Sequence, residues 1–290
     1  MLSAAAKCPA KAAPSDDTIA PLKRSERAET LDFLAERPIH TVIMAGWIRD
    51  FGVVSDQHRG TFYRTRGPDG KISGVALIGR HTFFEVRSKE ALRLFAELAR
   101  GVPGIRMVFA EKGLLSEFWH RYSASSRKPR LKNSEILIDI SGSTPFSGPL
   151  PDLRPARLDE LDQVARAHAS MVLDETGVDP LLADPEGFRS RCASRIKEGR
   201  VWVWVKNGEL LFKTDIISDT PAAYYIEGLW VNPAIRATGS SARCVSSLCK
   251  KLLNGTNSIV GFVDADNAAA IKLYRNSGFS FRDRYEKIYL

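Results

Sequence analysis

Apolar positions along the chain fall into two periods, and the periods alternate. Helical spacing predicts a helix over Leu22–Arg37, carried by Leu31, Phe33 and Leu34 and stopping before Pro38. It predicts another over Ser88–Arg100, with Ser88 as its cap and Leu92, Phe95, Leu98 and Ala99 as its apolar face, and a short one over Leu114–Tyr122. Short apolar runs predict strands at His40–Ala45, Gly60–Arg64, Ile72–Gly79, Ile105–Ala110 and Glu135–Ile140, the second and third separated by the turn Gly67-Pro68-Asp69-Gly70.

The pattern then repeats. Leu153–Ala156 reads as a first strand, and Leu158–Thr176 and Asp184–Glu198 as helices. Arg200–Val205 and Leu210–Ile217 form a hairpin around Asn207-Gly208, a strong two-residue turn signal. Ala223–Val231 is a strand, Ile259–Val263 the next, Asn267–Asn276 a helix, and Phe279–Leu290 the closing strands. Such alternation indicates α/β architecture with a central mixed sheet flanked by helices. The Gly- and Pro-rich segment from Gly142 to Pro155 divides the chain. The expected organisation is a tail at 1–17, an α/β domain at 18–141, a linker at 142–152 and a second domain at 153–290.

Length supports this division, since 290 residues are comfortable as two domains. A hydrophobic content of 44% with 26% charged residues is that of a soluble globular protein. The sequence shows neither a membrane-spanning run nor a signal peptide, so a cytoplasmic protein is expected. Cys8, Cys192, Cys244 and Cys249 have no metal-ligand spacing and are expected as free thiols; no metal is expected. The charge of +8 sits almost wholly in the first half, which carries 23 Lys and Arg against 16 Asp and Glu up to Leu150. Arg121, Arg127, Lys128, Arg130 and Lys132 concentrate part of it. Two readings stand there: a solvated loop, or a surface for nucleic acid or an acidic partner. Without stacking aromatics or a nucleic-acid module, the loop is the better reading.

The chemistry concentrates in Leu229–Leu253, LWVNPAIRATGSSARCVSSLCKKLL. Leu229, Trp230 and Val231 end a strand, Asn232 and Pro233 break it, and Arg236, Ala237, Thr238, Gly239, Ser240 and Ser241 lead with little bulk into an amphipathic helix. Small residues let backbone N–H groups approach a ligand, and the first helical turn leaves such groups unpaired at the positive end of the dipole. A pyrophosphate suits that place.

Arg236-Ala-Thr-Gly239-Ser240-Ser241 resembles the acetyl-CoA-binding signature of the GNAT acetyltransferases, with Ser241 where the family has Gly or Ala. Asn267-Ala-Ala-Ala270-Ile-Lys-Leu273-Tyr274-Arg-Asn-Ser-Gly278-Phe279 resembles the family's closing segment. The resemblance implies tandem GNAT-like domains, the first a divergent copy that completes a shared sheet or shapes the acceptor site. It implies an acetyl-CoA-dependent N-acetyltransferase that moves the acetyl group directly to an amine of a small molecule or protein. It places the cofactor carbonyl near the backbone of Leu229–Val231 and Asn267 against the pantetheine arm or its loop. Tyr274 falls where the family protonates the leaving thiolate, a role that suits a phenol of pKa about 10. Glu227 falls on the strand that supplies a general base in several members, and reads equally as a structural carboxylate. Asp174 and Glu175, with Asp179, lie where members contact acceptors, and read equally as helix caps. Trp202, Trp204 and Trp230 read as core, and His168 as a helix-surface or satisfied core histidine. The alternative function is a catalytically silent acyl-CoA-binding sensor or adaptor.

Overall fold

A computed structural model describes residues 17–123, 128–142, 145, 151–236 and 238–290. The tail expected at 1–17 apart from Asp17, most of the linker, and Ala237 within the small-residue loop lie outside the described residues.

The described residues build one sheet of twelve strands rather than two separate sheets. In chain order the strands are β1 (Thr18–Pro21), β2 (Gly60–Arg66), β3 (Ile72–Gly79), β4 (His81–Val86), β5 (Met107–Glu111) and β6 (Leu131–Ile140). They continue as β7 (Arg154–Pro155), β8 (Val201–Lys206), β9 (Glu209–Asp219), β10 (Tyr224–Val231), β11 (Ile259–Asp264) and β12 (Ser280–Tyr289). Their spatial order is β1-β2-β3-β4-β5-β12-β6-β11-β10-β9-β8-β7. Only β4 with β5 and β10 with β11 pair in parallel; every other neighbour is antiparallel. The order of pairings is therefore the same read from either edge, and the halves relate by a pseudo-two-fold between β12 and β6.

The halves exchange their last strands. β12 lies between β5 and β6, while β6 lies between β11 and β12. Of the two expectations for the first half, completing a shared sheet is what the fold shows.

Helices cover both faces. On one face lie α1 (Arg27–Ala35), α2 (Pro38–Phe51), α5 (Leu161–Thr176), α6 (Pro180–Ala183) and α7 (Pro185–Lys197). On the other lie α3 (Lys89–Gly101), α4 (Lys112–Tyr122), α8 (Ser240–Leu252) and α9 (Ala268–Asn276). Alternation along β3 shows the division, with Val75 and Leu77 packing towards α1 and α2 while Ala76 and Ile78 pack towards α3 and α4. Ser88 caps α3 as expected, accepting from the Ala91 N–H at 3.0 Å.

One element departs in kind. His40–Ala45, read as a strand, lies inside the helix α2. The run is apolar nearly all round because α2 is buried at Thr41, Val42, Ile43, Met44, Gly46 and Ile48, and such a run has no period of its own. Pro38 at the first helical turn is the start signal that outweighs β-branching there. The strands β1 and β4 were not anticipated, and the closing segment is one strand, not several.

The basic stretch is in part structural. Arg130 donates to the Thr176 carbonyl at 3.1 Å and lies over the Tyr289 ring, Lys132 pairs with Glu286 at 2.9 Å, and Arg121 pairs with Glu117 at 3.4 Å. Arg127 lies outside the described residues. Cys192, Cys244 and Cys249 are free and buried; burial pushes the thiols of Cys244 and Cys249 up to about 12, which removes them as nucleophiles. Among the described residues, no helix is long and apolar enough to cross a membrane.

Candidate active site

The parallel pair β10 and β11 stays together only at Tyr224 with Ile259 and Tyr225 with Val260. Beyond that point β11 follows β6 as far as Asp264, and β10 follows β9 as far as Val231, so the two strands part. The register along β10 slips between Glu227, opposite Asp215, and Trp230, opposite Lys213. Gly228 and Leu229 thus stand together opposite Thr214 alone, a β-bulge. Gly228 takes φ of +65°, in the left-handed region that the bulge requires and only glycine adopts freely.

Past the strand end, Asn232 accepts from the Ala234 N–H at 2.9 Å and turns the chain. The loop delivers Gly239, with φ of +79°, as the residue capping α8, and a Cβ placed there meets nothing within 4 Å. Ser240 and Ser241 form the first turn, which carries no acidic side chain, and the Ser240 N–H donates to the Thr238 hydroxyl at 3.4 Å. The Thr238 hydroxyl bridges the Ile235 carbonyl at 2.7 Å and the Ser240 hydroxyl at 2.9 Å, and Arg236 folds back on the Val231 carbonyl at 3.0 Å. An open helix amino end beside a strand gap is a place for an anion with an extended arm attached.

A model of the acetyltransferase (GNAT) family matches residues 170–279, the span that holds this gap and loop. Residues 170–279 are thus similar to a GNAT acetyltransferase domain. Solved structures agree on the fold across both halves. A Drosophila protein superposes with a TM-score of 0.68 at 14% identity, covering 94% of this chain and 99% of its own. A GCN5-related N-acetyltransferase from Sphaerobacter thermophilus gives 0.58 at 14% identity over 95% of each chain. A tandem GNAT protein from the clavulanic acid biosynthesis pathway gives 0.56 at 14% identity, covering 94% and 98%. No curated protein matches significantly in sequence.

Within residues 170–279 the remaining candidates divide between the two faces. Tyr274, on α9, is 8% exposed; its ring packs edge-on to Phe279 and belongs to the cluster that includes Cys249 and Leu248. Burial, then the neighbouring Cys249 thiol, raises its pKa, so the phenol holds its proton. Asn267 caps α9, accepting from the Ala270 N–H at 2.9 Å.

Glu227 opens on the opposite face, exposed, and accepts from the buried Tyr225 phenol at 3.3 Å. Glu175, near the carboxyl end of α5, accepts from Lys287 at 2.8 Å and Tyr289 at 2.9 Å. Burial pushes the Glu175 carboxyl up, but the Lys287 ammonium outweighs it and the net pKa is lowered. Lys287 also pairs with Glu135 of β6 at 2.6 Å; burial there prevails and raises the Glu135 pKa. Asp174 is exposed, and Asp179 caps α6 by accepting from the Leu181 N–H at 2.8 Å.

The seam thus gathers Glu135 from the first half with Glu175, Glu227, Lys287 and Tyr289 from the second. Sequence reasoning missed Glu135, Lys287 and Tyr289, because no spacing signal connects residues that only strand exchange brings together. It also missed a buried charge network beside the bulge. The Lys213 ammonium lies 2.9 Å from Asp215, 3.1 Å from His168 Nδ1 and 3.3 Å from the Gly228 carbonyl. His168 stacks on Phe188 and is the satisfied core histidine that one reading expected.

The corresponding gap of the first half is bridged by its own side chains and keeps a pocket lined by His40, Phe83, Glu85, Phe109, Glu111 and Tyr285. β4 and β5 part after Phe83 and Phe109, and Arg37 spans them, reaching Glu85 at 3.0 Å and Glu111 at 2.9 Å. The amino end of α3 follows β4 with only Arg87 and Ser88 between, and the Asp17 carboxylate accepts from Ser88 and Ser73 at 3.0 Å each. At that helix end the Ser88 hydroxyl accepts from the Ala91 N–H and donates to Asp17.

Proposed function

We propose that the protein is an acetyl-CoA-dependent N-acetyltransferase whose active site lies in the second half. The observation that carries this reading is the bulge at Gly228 standing where β10 leaves β11, followed in the chain by the amino end of α8 at Gly239. The residues present fit the cofactor. The amino end of α8 at Ser240 and Ser241 suits its pyrophosphate, the space around Gly239 is open, and the backbone of Leu229, Trp230 and Val231 edges the gap for its arm. The proposed cofactor contacts include Ala237, which lies outside the described residues, and Asn267, which caps α9. Acetyl-CoA supplies an activated acyl group; the chain binds, orients and moves protons.

Glu227 is the group placed to accept the amine proton, directly or through water, and Tyr274 is the group that keeps a proton to give to the departing sulfur. Glu175, with Glu135 and the more distant Asp174, gives the seam an excess of carboxylate over ammonium, which favours a cationic amine as acceptor. On this reading the first half is a divergent GNAT-like copy that has given up the cofactor and contributes Glu135 to the acceptor side. The exposed setting of Glu227 favours a second reading: a protein that binds acyl-CoA without turning it over.

Calorimetric titration with acetyl-CoA and with free coenzyme A, beside Gly239→Glu, tests the proposal. Saturable binding by the native protein, abolished in the variant by bulk and charge at the helix end, is expected. Normal affinity in Gly239→Glu would mean that the pyrophosphate binds elsewhere. Binding without acetyl transfer to any of a broad amine panel would favour the second reading.

A further inference from the structure

We infer that Lys213 and Thr214 are positioning residues that hold the Gly228 bulge open, and so set the backbone edge against which the thioester carbonyl of acetyl-CoA lies. The inference rests on the proposed cofactor site but concerns a feature that the chain already has without ligand.

A bulge frees two carbonyls from the ladder, and freed carbonyls need donors. Here the donors come from the two opposite faces of β9. Thr214, fully buried, donates to the Glu227 carbonyl at 3.2 Å from the side of α8. Lys213, also fully buried, donates to the Gly228 carbonyl at 3.3 Å from the side of α5. The ammonium has three protons and three acceptors within reach: that carbonyl, Asp215 Oδ2 and His168 Nδ1. Asp215 is shared with Arg195 at 3.2 Å, which ties the network to α7. The contact is close enough that a Cβ on Gly228 would stand 2.9 Å from Lys213 Nζ. With both carbonyls drawn towards β9, β10 cannot turn back to resume its ladder with β11, and the gap stays open. A charge buried this deeply beside a strand irregularity has a cost that simple core packing would not retain.

The test uses the whole chain and two variants. Lys213→Met with Asp215→Asn removes the ammonium without leaving its carboxylate charged and alone; Thr214→Val removes the second donor with its shape kept. Hydrogen–deuterium exchange without ligand reads the clamp itself. Amides of Gly228–Val231 are expected to exchange about tenfold faster in each variant, one weakened hydrogen bond being worth about that factor, while β2 and β3 stay unchanged. Unchanged exchange at Gly228–Val231 in both variants would overturn the inference.

Calorimetry then reads the consequence. Free coenzyme A is expected to bind the variants as it binds the native protein, while the native preference for acetyl-CoA shrinks about fivefold, the share of one carbonyl contact. A preference that persists undiminished would show that the bulge does not set the thioester contact. Should the native protein bind neither ligand, the cofactor reading falls, whereas the exchange data still decide whether Lys213 and Thr214 hold the bulge.

Discussion

Lys287, on the last strand of the chain, lies 2.6 Å from Glu135, on the strand that ends the first half. The pair sits where β12 and β6 run side by side, and it turns a tandem arrangement into an interlocked one. Neither half owns a complete sheet: the ladder of β11 continues onto β6, and β5 continues onto β12.

The interlock makes the halves interdependent. Residues 151–290 expressed alone would expose one edge of β11 and leave β12 without either neighbour, so no cooperative unfolding transition is expected. Co-expression with residues 1–150 is expected to restore a one-to-one complex that unfolds in a single step. Size-exclusion chromatography with denaturant titration checks this, and a second half that folds cooperatively by itself would show that the exchange is dispensable.

Much of this was legible in the sequence, and the reasons differ by element. The hairpin at Asn207-Gly208, the cap at Ser88 and the helix opened by Asn267 are local decisions, written in residues a few positions apart. α2 was misread because burial on every side erases the period that distinguishes helix from strand, leaving only Pro38 as a sign. The loop at Gly239 was legible because small residues between an apolar strand and an amphipathic helix mark a turn. The seam was not, because Glu135, Glu175 and Lys287 meet only through strand order. The bulge clamp was equally hidden: Lys213 reads as one polar residue in an apolar strand until its partners are in place.

Removing one member of the seam pair should be costly. Lys287→Met would leave Glu135, itself buried, facing Glu175 without the ammonium between them. A loss of about 3 kcal/mol in unfolding free energy is expected for a buried ion pair broken on one side. Adding Glu135→Gln should recover part of it. Urea titration of the single and double variants measures both, and a neutral Lys287→Met would mean that the pair contributes nothing net.

His168 gives stability an acid limit. Burial, then the Lys213 ammonium, lowers its pKa to about 3. Above the ordinary histidine value of about 6.5 both folded and unfolded states hold it neutral, and its contribution is constant. As pH falls below that value the unfolded chain takes up a proton that the folded chain refuses until about 3. Stability attributable to this residue is therefore lost on acidification, by up to about 1.4 kcal/mol per pH unit. His168→Gln keeps an acceptor for Lys213 without titrating, so its unfolding free energy should fall less steeply than the native protein's between pH 6 and 4. Parallel slopes would show that His168 does not titrate differently in the two states.

Tyr274→Phe separates the proposed acid from its packing. The ring is buried against Phe279 and the α8 residues, and phenylalanine preserves that shape, so stability should change by less than about 1 kcal/mol. If the phenol gives its proton to the departing sulfur, the variant should bind acetyl-CoA within about twofold of native yet turn over about a hundredfold more slowly, the usual share of a general acid. The pH profile should change as well. Burial raises the Tyr274 pKa above its ordinary value, so the native acid stays protonated throughout the neutral range. Losing it should leave a turnover that depends on an external proton source and responds to buffer acid. A variant with native kcat and no buffer dependence would remove Tyr274 from the acid role and leave solvent to protonate the thiolate. A variant that lost affinity and turnover together would instead mark the hydroxyl as a binding contact.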